Sequence, residues 1–150
     1  MAVLGPADPV NEGRAKRDEI LRALIESGMD AFLPEDYVVD SDVSDTDQER
    51  ILLRNPNVDW ILVLDKSEGP LAELAAFQPE PQIARKSLVM HPAQYTGTGS
   101  FTANVLEQFP HRLPFSDEEF ERCDLVRACE DRARAHRTIK WREELSARQF

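Results

Sequence analysis

The run Trp60-Ile61-Leu62-Val63-Leu64, closed by Asp65, constrains this chain more than any other segment. It has no polar face. A strand apolar on both sides must be covered on both sides, which places it in the middle of a parallel sheet flanked by helices. The other segments alternate as such a sheet requires. Ala2-Val3-Leu4 reads as a buried strand stopped by Gly5-Pro6. After Asn11-Glu12-Gly13 a helix runs through Ser27, with Ile20, Leu21, Leu24 and Ile25 at helical spacing and Gly28 just past its end. Ala31-Phe32-Leu33 is a second strand, halted by Pro34. Glu35 to Asp47 reads as an acidic loop, and Ser44 or Thr46 caps a short helix that Asn55-Pro56-Asn57 closes.

Beyond the central strand, Pro70 suits the first turn of a helix that runs through Phe77. Ser87-Leu88-Val89-Met90 is a fourth strand, and Gly99 or Ser100 opens a helix carrying Phe101, Val105, Leu106 and Phe109. His111 to Phe115 is a short fifth strand or an extended connection. Ser116 and Glu119 form a capping box that starts a long terminal helix, with Phe120, Cys123, Val126 and Cys129 as its apolar stripe. The expected architecture is one α/β domain over residues 1–150: a flavodoxin-like, doubly wound, five-stranded parallel sheet in the order 2-1-3-4-5, with a long C-terminal helix.

Charge narrows the partners. A net charge of −10 speaks against a nucleic acid duplex, because phosphate binding needs a basic footprint. No apolar run reaches the ~20 residues that cross a bilayer, so no membrane partner is expected. The opening Met1 to Pro6 lacks a basic stretch and a long enough apolar run for a signal peptide, so the expected location is cytoplasmic. Lys16, Lys66, Lys86 and Lys140 are the only lysines among 18 basic residues. Acidic, lysine-poor composition is what a salt-adapted (halophilic) cytoplasm selects, although a GC-rich genome also favours Arg over Lys. Cys123 and Cys129, six positions apart on one helix, face different ways and read as small buried hydrophobes. The run Asp40 to Asp47 has calcium-loop spacing but lacks the central Gly and the terminal Glu, so no metal is expected.

In sheets of this kind, ligands bind outside the carboxyl ends of the strands near the point where strand order reverses. That rule nominates Gly5 to Asp8, Pro34 to Tyr37, Asp65 to Glu73, and His91 to Tyr95. In the third of these loops, Gly69 permits close backbone approach, the helix start offers free N–H groups to an anion, and Ser67 adds a hydroxyl. Glu73 lies about one helical turn inside. Each residue also has an ordinary reading. Glu73 suits a helix N-terminal face, Ser67 suits an N-cap, and Asp65 suits the end of a strand. His91 reads as a partly exposed loop residue, and Tyr37 and Tyr95 as covers for the sheet edge.

Ser67-x-Gly69-x-x-x-Glu73-Leu74, together with the opening VLGPADP and the FLPEDY segment, resembles the nucleoside 2-deoxyribosyltransferase superfamily. Within it, the chain is most similar to the 2'-deoxynucleoside 5'-monophosphate N-hydrolases. The resemblance covers about the first two-thirds of the chain at fold level, and its specific motif is short. It departs from the family in Glu68, in Pro70 and in a first loop poor in glycine. It implies that Glu73 is the catalytic nucleophile, that Ser67 holds a 5'-phosphate, and that Asp65 or Asp8 protonates the leaving base. Gly5, Asp8, Tyr37, Gly69, His91 and Tyr95 would line the substrate site. No cofactor is implied. The partner is a nucleotide or nucleoside, and a homodimer is expected, with the terminal helix around Trp141 and Phe150 as its interface. Toll/interleukin-1 receptor-like domains share the strand layout. A nicotinamide dinucleotide (NAD) glycohydrolase and a non-catalytic nucleotide sensor therefore stay open as alternatives.

Overall fold

The computed structural model describes residues 1–8, 10–66, 68–95 and 100–148, and the backbone alone of residues 68–71 and 73. Its frame is a four-stranded, all-parallel sheet in the order β1-β2-β3-β4, formed by Ala2–Leu4 (β1), Ile61–Leu64 (β2), Ser87–Pro92 (β3) and His111–Phe115 (β4). Register is set by Val3 opposite Leu62 and by Leu62 opposite Leu88. Every residue of β2 is buried, as its apolar run requires.

The pleat sorts side chains into two cores. Val3, Leu62, Leu64, Leu88 and Met90 pack against the helices Glu12–Glu26 (α1), Asp117–Glu121 (α6) and Asp124–Arg148 (α7). Ala2, Leu4, Ile61, Val63 and Val89 face the opposite way, toward Asp45–Arg54 (α2), Glu68–Phe77 (α3), Pro81–Ala84 (α4) and Phe101–Glu107 (α5). Helices thus cover both faces. None of the described helices is long and apolar enough to cross a membrane.

Several local expectations meet a different outcome. Ala31-Phe32-Leu33 does not form a strand: Phe32 makes one isolated parallel bridge to Ala2 before Pro34 enters a 3-10 turn at Pro34–Tyr37. The sheet therefore has four strands where five were expected. The Ser116–Glu119 capping box is present, but it opens only α6, because Arg122 is extended and breaks the helix before α7. That break leaves Cys123 exposed, while Cys129 is buried against Met90. Trp141, on the stretch of terminal helix expected to form a dimer interface, is 60% exposed. Ser44, not Thr46, caps α2 by accepting from the Asp47 N–H.

Candidate functional site

At the carboxyl edge of the sheet, the ends of β1, β2 and β3 lie side by side. Gly5 follows β1 so closely packed that a Cβ there would meet Cδ of Arg17 and Cβ of Leu64, each at 3.2 Å. Gly13, at the start of α1, is tighter still: a Cβ would fall 2.7 Å from Pro6 Cγ and 3.2 Å from Lys66 Cβ. The loops after β1 and β2 therefore converge on the N-terminus of α1. Asn11 caps that terminus by accepting from the Gly13 N–H at 2.7 Å.

Asp65 is the chemically distinctive residue here. Its N–H donates to Met90 O at 2.8 Å, continuing the ladder one position past Leu64, which pairs with Met90. Asp65 therefore stands beside His91, and the pleat turns both side chains to the sheet face that α3 and α5 cover. Asp65 is 3% exposed and its Oδ2 has no hydrogen-bond partner among the described residues. Burial pushes its carboxyl up to about 6. His91 is equally buried, and its Nδ1 lies 3.0 Å from the Pro92 carbonyl. Burial foremost, with Arg112 adding to it against the opposing Pro92 hydrogen bond, holds the imidazole below its ordinary value and so neutral at pH 7. The expectation of a partly exposed loop histidine is thus corrected, because β3 runs through His91 to Pro92.

Three cations surround this edge, of which Lys16 and Arg17 lie outside the loops that the strand ends nominate. Arg17 is buried on α1, donating to Glu35 Oε1 at 2.6 Å and to Gly5 O at 3.4 Å. Lys16 donates to Arg122 O at 3.1 Å. Lys66 lies 4.5 Å over the Phe120 ring and 3.6 Å from Glu12. For Lys16 and Arg17 the signal was available: both fall on the stripe of α1 that also carries Gly13, Ile20 and Leu24.

The remaining expected residues are not all gathered at this point. Asp8 is exposed and accepts from the Val10 N–H, a turn role. Tyr37 is 61% exposed, packs edge-on against Phe32, and lines a groove whose described walls include neither Gly5, Asp65 nor His91. Tyr95 packs partly buried against the core under α3 and α5. Gly69 and Glu73 belong to α3, which begins directly after the β2 loop, but their side-chain positions, like the whole of Ser67, lie outside the described residues. No protein-family model matches the chain, and no curated protein matches it.

Proposed function

We propose that this chain cleaves the N-glycosidic bond of a nucleoside 5'-phosphate, with Asp65 as general acid and Glu73 as nucleophile. The observation that carries the reading is Asp65, a buried carboxyl whose Oδ2 has no partner among the described residues and whose pKa is raised to about 6, set at the strand ends where a doubly wound sheet takes its ligand. Such a group holds a proton that it can give to a departing base near neutral pH. Asp8, occupied in its turn, does not compete for the role.

In the proposed reaction the Glu73 carboxylate attacks C1' as the C1'–N bond breaks, and the Asp65 proton passes to the leaving base. Water then opens the glycosyl ester, releasing the sugar phosphate and returning both carboxyls to their starting states. Ser67, the N-terminus of α3 and Lys66 receive the 5'-phosphate. The proposed setting is a cytoplasmic enzyme that self-associates through α7.

The test is release of free base from each deoxynucleoside monophosphate, run beside release of nicotinamide from NAD. Base release that is lost in Glu73→Ala and slowed about 100-fold in Asp65→Asn supports the reading. Release unaffected by Glu73→Ala overturns the nucleophile. Tight nucleotide binding with no release replaces the enzyme with a sensor, and nicotinamide release without base release replaces the substrate.

A further inference from the structure

The opposite, amino-terminal end of the sheet carries a second constellation. Trp60 precedes β2, Lys86 precedes β3 and His111 opens β4, and with α7 they bound an open cavity of about 620 Å³. That is a volume suited to a small molecule. Its floor is aromatic. Trp60 is 6% exposed, with His136 stacked on one side at 4.2 Å and 17° and His111 tilted against it at 5.1 Å. The Trp60 Nε1 and the His136 Nε2 are both buried and have no hydrogen-bond partner among the described residues.

The charge on the walls runs against the whole chain, whose net charge is −10. Arg85, Lys86, Arg132 and Lys140 face the cavity, against Asp59 and Glu143. Two of these cations are engaged: Lys140 holds Asp59 at 2.9 Å, and Lys86 donates to Asn55 O at 2.9 Å. Arg85 and Arg132 make no side-chain hydrogen bond or ion pair among the described residues. Ile139, which is 55% exposed, adds an uncovered apolar patch to the wall.

From these features we infer that the cavity binds a small amphiphilic anion, with a phosphate or carboxylate head between Arg85 and Arg132 and a short apolar body over Ile139 and the edge of Trp60. A guanidinium pair favours either head through bidentate hydrogen bonds. The apolar wall rewards a ligand larger than a bare ion. The site is separate from Asp65 and does not depend on the proposed reaction.

The emission of Trp60 reads the binding in a Trp141→Phe background, since Trp141 does not line this cavity. Hexyl phosphate, hexanoate and inorganic phosphate are titrated at constant low ionic strength, with calorimetry in parallel. The expected result is saturable binding of at least one of the two amphiphiles, at least tenfold tighter than inorganic phosphate. It should weaken at least tenfold in Arg85→Gln/Arg132→Gln. Both arginines are exposed, so an unchanged thermal midpoint checks that the variant folds. The tighter of the two amphiphiles identifies the head group. Neither heat nor emission change with either amphiphile overturns the inference, as does binding indifferent to the two arginines or inorganic phosphate binding equally well.

Discussion

A carboxyl buried in a folded chain is costly to ionise, and Asp65 is such a group at a strand end, its Oδ2 without a hydrogen-bond partner among the described residues. Its pKa is raised from 3.8 to about 6, so the native state holds the proton more tightly than the unfolded chain does. The stability this confers is complete below the unfolded value and is lost as pH rises through the folded one. Above pH 6 the buried charge is therefore a cost, of the order of 3 kcal/mol at ~1.4 kcal/mol per pKa unit. Asp65→Asn should stabilise the protein by up to that amount at pH 8 and change little at pH 3.5, as urea unfolding at the two pH values will show. The same proton governs the proposed chemistry. Base release should fall as pH rises through about 6, and that descending limb should vanish in Asp65→Asn, leaving a slow, flat profile. A variant more stable yet less active at one position is the mark of a functional residue kept at a structural cost.

Among the elements, what could be read from the sequence depended on whether a boundary carries its own chemistry. The apolar run ending at Asp65 and the Ser116–Glu119 box both announced themselves, one by pattern and the other by cap. Phe32 did not: its neighbours look strand-like, yet Pro34 turns the chain into a 3-10 turn after a single bridge to Ala2. Nor did the break at Arg122, where no Gly or Pro interrupts the helical pattern and only the extended backbone there reveals it. At the candidate site, the loop positions Gly5 and Asp65 followed from topology alone, whereas the burial of His91 depended on how far β3 extends. Gly28 is the clearest legible terminus. It adopts φ +77 after α1, and a Cβ there would meet no atom within 4 Å. Any cost of substitution is therefore conformational rather than steric. Gly28→Ala should destabilise by about 1 kcal/mol, and Gly28→Asn by less, since Asn tolerates the left-handed region. Thermal unfolding of the pair separates this from a packing effect.

For the molecule as a whole, the question is where an excess of 28 acidic over 18 basic residues acts. It is not spread evenly. The amino-terminal cavity collects cations, whereas the 3-10 turn and α2 bring Glu35, Asp36, Asp45, Asp47 and Glu49 together, with Arg50 already shared between Asp47 and Glu80. Glu49 registers this crowding. Its pKa is raised, first by burial and then by Glu35 and Asp45. As with Asp65, a raised carboxyl confers stability below its unfolded value that is gone once pH exceeds the folded one, so at pH 7 the ionised group weakens the fold. The two cases differ in what salt can reach. Glu49 is partly exposed, so its repulsion is screened, and the Debye length falls from about 10 Å at 0.1 M to about 3 Å at 1 M salt. Raising KCl to 1 M should therefore lift the thermal midpoint at pH 7, and choline chloride should do the same if screening is the cause. Glu49→Gln should raise the midpoint by roughly 2 °C in dilute buffer, with the gain shrinking in 1 M salt as the repulsion it removes is already screened. A midpoint insensitive to both salts, or a gain from Glu49→Gln that salt leaves intact, would assign the strain at α2 to desolvation alone.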